Sequence, residues 1–291
     1  MKHWLSLLLI VCAGAHAAEA CQPVRVGYSD RERLPYYVGN GATVPARPGV
    51  LVELFRDAVR SGSGCPVEFV RLPVTRVRIA LASGAIDIAP TYMPGDRQTD
   101  YVVASTASGE PDTRRALRSM AIVFVRRADR LPPGTDPMQY FQNHMLAANQ
   151  GTMLAAQLKT AGLQVDDGSV SSESNFDKLY LKRVDGFTVA VMTPSALDAY
   201  VHVQHGKQLV RLEKPLSISY VWLGANRDYY RRNRAQVEAI WNWMSTHGAQ
   251  QVDALTRKYA GRDQIAAHRA VAFGRSDLDK AGVEAQIIGH D

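Results

Sequence analysis

Cysteine is scarce, with three in 291 residues, which excludes a small scaffold stapled by disulfides. Long apolar runs are missing beyond the first twenty residues, which excludes a polytopic membrane protein. The chain has no internal repeat and no low-complexity tract, so a solenoid and a tethered string of modules are excluded as well. Charge of one sign is only mildly in excess. Lys+Arg 34 against Asp+Glu 28 gives +6, spread along the chain, and no nucleic-acid partner is implied. G-x-S-x-G, P-loop and dinucleotide fingerprints are all absent. His202 and His205 stand three apart but lack a third ligand, so neither a metal nor a cofactor is expected. What is there is a globular composition. Hydrophobic residues make up 46% and charged residues 21%, enough for a packed core. The length is about two domains' worth of chain.

Residues 1–20 read as a secretory signal. Lys2 supplies the charge, Leu5 to Ala15 the short apolar stretch, and Ala15-His16-Ala17 a small-x-small cleavage site. A second such site, Ala18-Glu19-Ala20, would leave Cys21 first. The run is too short to span a bilayer. The mature protein is therefore expected in an exported compartment, with Cys21 and Cys65 free to oxidise.

Along the mature chain a strand–helix–strand–helix–strand order emerges. Val24 to Tyr28 alternates as a first strand, and Leu51, Leu54, Phe55, Ala58 and Val59 recur at helical spacing with Gly62 as the expected stop. Pro66 to Leu72 gives a second strand, Val77 to Leu81 a short helix closed by Gly84, and Ile86 to Ala89 a third strand. This order implies a parallel sheet with right-handed crossovers. A second α/β rhythm follows. Met120 to Val125 and Met145 to Ala148 read as strands, and Gln150-Gly151-Thr152 opens a helix running through Leu158. A Ser-rich loop from Ser169 to Ser174 precedes a helix at Phe176 to Leu181, then a strand from Val184 to Met192. After a helix from Pro194, Ser217 to Leu223 alternates as a strand. Two amphipathic helices are then predicted, one carrying Val237, Ile240, Trp241 and Met244, the other ending at Tyr259. Residues 262–291 form a polar tail.

Several pieces in this order resemble the amino-acid-type periplasmic solute-binding proteins of ABC importers, family 3. They are Val26-Gly27-Tyr28-Ser29-Asp30, Leu34-Pro35-Tyr36, Ser83-Gly84-Ala85-Ile86-Asp87, Asp96-Arg97, Gln150-Gly151-Thr152, Leu181-Lys182-Arg183-Val184-Asp185 and Lys258-Tyr259-Ala260-Gly261. The resemblance implies a two-lobed α/β fold of the type II periplasmic-binding kind, each lobe a mainly parallel sheet flanked by helices, with two crossover segments. Lobe 1 would comprise 24–118 plus 220–261, and lobe 2 119–219. The solute would sit between them, beyond the carboxyl ends of the strands.

The resemblance also assigns roles. Arg97 would fork onto the solute's carboxylate. Thr91 and Tyr92 would supply a hydroxyl and backbone donors after the third strand, and Gly151 and Thr152 the N–H groups of a helix start. Asp30 would hold an ammonium, although 190–193 offers no second acid. Arg33 stands where many members carry an aromatic, so Tyr36 is the candidate ring, with Tyr28 and Tyr37 beside it. Arg76, with Arg33 and Arg97, would make the cleft cationic. Because the first two strands are parallel neighbours in such a fold, Cys21 and Cys65 are expected to pair. The function implied is non-enzymatic. A monomeric periplasmic protein would bind a small carboxylate-bearing, amino-acid-like solute for an ABC permease or a sensor in the inner membrane. The alternative is an exported enzyme on the same fold, resembling a cyclohexadienyl dehydratase, for which no general acid is evident beyond Asp30 and Asp185.

Overall fold

The computed structural model describes residues 21–92 and 101–260. The expected signal segment, residues 262–291 and Arg97 lie outside the described residues.

The first half builds as its periodicity dictates. Strand β1 (Val24–Ser29) leads to helix α1 (Val50–Ser63), then β2 (Val67–Leu72), α2 (Val74–Ser83) and β3 (Ile88–Thr91). Beyond the short β4 (Tyr101–Val102), a long strand β5 (Leu117–Arg126) opens a second set. That set runs α3 (Pro137–Tyr140), β6 (Leu146–Asn149), α4 (Met153–Thr160), β7 (Val165–Ser169), α5 (Ser172–Tyr180), β8 (Gly186–Val191), α6 (Asp198–His205) and β9 (Leu209–Arg211). The chain returns through β10 (Ser217–Asn226) and closes with α7 (Arg227–Arg232) and α8 (Arg234–Ala260). No helix among the described residues is long and apolar enough to cross a membrane.

The strands lie in the order β2-β1-β3-β10-β5-β8-β6-β7. Two parallel groups, β2-β1-β3 and β8-β6-β7, are thus joined by two long antiparallel strands. β10 changes partner midway. Ser217 to Val221 pair with β5, and Trp222 to Ala225 pair with β3. Each parallel group is locked by an aspartate just before or at the start of a strand. Asp87 accepts the Arg25 N–H at 2.8 Å, and Asp185 accepts the Met145 N–H at 2.9 Å. Each also binds a guanidinium, Arg25 at 2.6 Å and Arg126 at 3.3 Å. Asp87 and Asp185, both carried by motifs of the resemblance, are therefore structural.

Three boundaries differ from the sequence reading, each for a physical reason. The helix expected to stop at Gly62 continues to Ser63, and Gly64 closes it in the left-handed region at φ 71°. Gly62 instead marks the crossing of α8, where an added Cβ would lie 2.6 Å from the Ile240 Cα. The two predicted C-terminal helices are one. Trp241, Met244, Val252, Leu255 and Tyr259 are all buried, and Gly248 falls in the same stripe, so the apolar face never breaks. The Ser-rich loop is split between β7 and α5, with Ser171 capping α5 by accepting the Ser174 N–H.

Cys21 and Cys65 form the expected disulfide, their Cα atoms 5.5 Å apart. Val24 pairs with Val67 in parallel register, which brings both cysteines to one end of the sheet. The bridge closes a loop of sequence separation 44, and the chain-entropy relation puts its stabilisation at no more than about 4 kcal/mol. Replacing both cysteines by serine is expected to lower the denaturation midpoint and to steepen the denaturant slope, since the uncrosslinked denatured chain is less compact. An unchanged midpoint would show that the bridge does not restrict the denatured chain.

Candidate functional site

Parallel strands deliver their carboxyl ends, and the loops that follow, to one edge of the sheet. In the first group those ends are Asp30 after β1, Leu72 ending β2 and Tyr92 after β3; in the second they are Asn149–Gln150 after β6 and Met192 after β8. Side chains of the first group cross to the backbone of the second, so the two sets of strand ends confront one another.

The loop after β1 makes the crossing. Its backbone is tied to α1, because the carbonyls of Pro35 and Tyr36 accept the N–H groups of Val50 and Leu51 at 3.0 and 3.2 Å. These are donors a helix start leaves unsatisfied. Gly49 sits at φ 113°, packed so closely on the Tyr36 carbonyl that no Cβ would fit there. With the backbone anchored, the Tyr36 ring is buried at 1% exposure, and its hydroxyl oxygen accepts the Met192 N–H at 2.6 Å. Burial pushes the Tyr36 phenol above its usual range, against the opposing pull of the Met192 N–H and of Arg33. Tyr36 is thus both core packing and a contact across the cleft.

Arg33 lies against the same ring, its guanidinium carbon 5.5 Å from the centroid. Nη1 donates to the Tyr92 hydroxyl at 2.6 Å, and Nη2 donates to the Ala190 carbonyl at 2.7 Å. The residue occupying the expected aromatic position therefore reaches across the cleft with a cation. Tyr28 and Tyr37 stack on one another at 5.4 Å beneath the loop, both buried. Arg71 lies over Tyr28 and donates to the carbonyls of Gly39 and Thr43, fastening the continuation of the loop to β2.

Asp30 stands at the first bend of this loop. Its N–H donates to the Leu72 carbonyl and its carbonyl accepts the Gly41 N–H, both at 2.9 Å, so its backbone position is fixed from two sides. Its Oδ1 is buried and has no hydrogen-bond partner among the described residues. Such an oxygen is costly to leave unmet, which marks the spot where a donor fits.

The other expected site residues are placed more loosely. Thr91 is the last residue of β3, paired in register with Trp222, and half-buried. Thr152 caps α4, its Oγ1 accepting the Ala155 N–H at 3.2 Å and donating to the Asn149 carbonyl at 2.8 Å. Gly151 precedes it in the left-handed region at φ 70°. Gln150 is not a free donor, since its N–H goes to the Ser169 carbonyl. Arg76 is exposed in the first turn of α2 and makes no ion pair among the described residues. The structure thus brings Tyr36 and Tyr92 together around Arg33, with Asp30 at the start of the same loop, while no contact among the described residues links Arg76, Gly151 or Thr152 to that group. What sequence reasoning missed is the opposite wall. The Ala190 carbonyl and Met192 N–H are backbone groups, and no residue type announces them. No group of three metal-ligating side chains is found among the described residues.

No protein-family model matches the chain, and no curated protein matches it in sequence. Solved structures do. The GluR0 ligand-binding core in complex with L-glutamate aligns with a TM-score of 0.59 at 13% identity, over 83% of this chain and 100% of that one. A histidine kinase sensor domain with similarity to periplasmic binding proteins gives 0.56 at 18% identity, over 83% and 97%. An ancestral arginine-binding protein bound to arginine gives 0.54 at 16%, over 83% and 100%. Likeness at these identities is likeness of fold, and it is nearly complete in extent: the chain has the two-lobed α/β fold of the periplasmic binding proteins.

Proposed function

We propose that this chain is an exported, periplasmic binding protein for a small carboxylate-bearing, amino-acid-like solute. The solute lies between lobe 1, residues 24–118 plus 220–261, and lobe 2, residues 119–219. β5 and β10 are the two crossings about which the lobes close, a hinge motion that carries the solute to a permease or a sensor.

The observation that carries this reading is Asp30. A carboxylate oxygen held at a strand's carboxyl end, buried and unpartnered, suits an ammonium group. Support comes from the fold, since structures that share it hold L-glutamate and arginine. The Gly151 N–H before α4 is then offered to the carboxylate, with Arg97 as the expected fork.

A thermal-shift screen of L-amino acids, dicarboxylates and neutral sugars tests the reading. A solute bound only by the native state stabilises it by about 2.7 kcal/mol at a hundredfold excess over Kd. A carboxylate-bearing amine is expected to raise the midpoint and to be recovered unchanged after denaturation. A rise confined to neutral sugars would sink the proposal, and recovery of a converted product would assign the cleft to catalysis.

A further inference from the structure

Among the described residues Arg33 is a cation without a counter-ion. No carboxylate among the described residues lies within ion-pair distance of it, and its two hydrogen bonds go to neutral acceptors, the Tyr92 hydroxyl and the Ala190 carbonyl. A guanidinium carries five N–H donors, so three remain unspent among the described residues. The far wall supplies no balancing charge either, because residues 190–193 read Ala-Val-Met-Thr. Holding a half-buried cation against neutral groups is unfavourable unless an anion completes it. Tyr92 adds to the same locus, since its oxygen accepts from Arg33 and its own O–H remains to be donated.

From this we infer that Arg33, with the Tyr92 hydroxyl, is the specificity-determining pair of the cleft and selects a solute carrying a second anionic group, as an acidic amino acid does. The inference rests on the binding function proposed above and names the solute class for that same site. A carboxylate is the matching chemistry. It takes two parallel N–H groups from the guanidinium fork and the phenolic O–H from the side. The same cation excludes a solute ending in an ammonium or guanidinium, since like charges in a closed cleft repel. Asp30 would meet the ammonium three residues earlier on the same loop.

L-Glutamate and L-glutamine differ at the relevant group alone, which makes them the decisive probes. Titration calorimetry on the mature protein should show L-glutamate or L-aspartate binding at least tenfold more tightly than L-glutamine, with L-arginine weakest. Arg33→Met keeps the unbranched stem of the side chain and removes the charge, so it should bring L-glutamate and L-glutamine to within about threefold of each other. Arg33→Lys keeps the charge without the fork and should restore part of the preference. The wild-type preference is read without any variant, so a variant that fails to fold leaves the test standing. Equal affinity of wild type for L-glutamate and L-glutamine would overturn the inference and leave the binding function intact. A uniform loss for every probe in Arg33→Met would overturn it too, by making Arg33 only a latch between the lobes. Binding of no amino acid at all would overturn the binding function, and the inference with it.

Discussion

Trp241→Ala is expected to destabilise the protein by about 3–5 kcal/mol, the range for deleting a large buried aromatic. Trp241 is 2% exposed on the inner face of α8 and stacks on Tyr230 at 5.4 Å. It also does a job that its volume does not reveal. Leu223 of β10 stands opposite Pro90 of β3 in a pair that exchanges no hydrogen bond, because the Asn226 N–H to Asp87 carbonyl bond fixes the alternation along the ladder. The Leu223 carbonyl therefore points away from β3, and it takes the indole Nε1–H of Trp241 at 2.6 Å. Trp241→Phe separates the two contributions. It keeps most of the apolar volume but leaves a buried carbonyl unmet, and the expected cost is about 1–3 kcal/mol. Urea unfolding of the two variants checks the order. Equal midpoints for Trp241→Phe and wild type would show that the carbonyl finds another donor.

That case shows where the sequence is readable and where it is not. β1 and α2 are legible because local periodicity, turn residues and burial agree: Val24, Val26 and Tyr28 alternate inward, and Gly84 closes α2 in the left-handed region. β7 is not, because Val-Asp-Asp-Gly-Ser has neither alternation nor β propensity. It is a strand by virtue of its neighbour, with Leu146 opposite Val165 and Asn149 opposite Ser169, and Lys178 of α5 clamps Asp166 at 2.7 Å. Tertiary pairing overrides local preference there. Continuity of α8 through Gly248 has the same origin, since a long buried stripe outweighs the roughly 1 kcal/mol a helical glycine costs.

The candidate site divides in the same way. Asp30, Tyr36, Tyr92 and Arg33 are legible as residues, because each stands at the end of a recognisable strand or in the loop after it. Their joint geometry is not, because it depends on backbone groups of β8 about 160 positions further along the chain. Tyr36, the aromatic proposed for the cleft, is buried with its hydroxyl oxygen accepting from Met192, while the position where many members carry an aromatic holds a guanidinium. Arg97, the residue to which the resemblance gives the solute's carboxylate, lies outside the described residues, so its role remains part of the proposal.

Asp30→Asn should separate binding from folding most cleanly, by moving them in opposite directions. With a solute identified by the screen, the variant loses the charge that pairs with the ammonium while keeping the shape of the side chain. Breaking a desolvated charge pair costs about 2–5 kcal/mol, on the order of 30- to several-thousand-fold in affinity. In the ligand-free protein the same change neutralises a carboxylate whose buried oxygen has no partner among the described residues. Its melting temperature should therefore hold or rise, since an unmet buried charge opposes folding and the backbone bonds of Asp30 to Leu72 and Gly41 do not involve the side chain. A des-amino analogue of the solute supplies the control. It lacks the ammonium, so wild type and Asp30→Asn should bind it alike. Unchanged affinity for the full solute in Asp30→Asn would remove Asp30 from the site. A fall in the ligand-free melting temperature would instead mean that the carboxylate is satisfied within the protein and holds the loop, and the ammonium would then have to be sought elsewhere in the cleft.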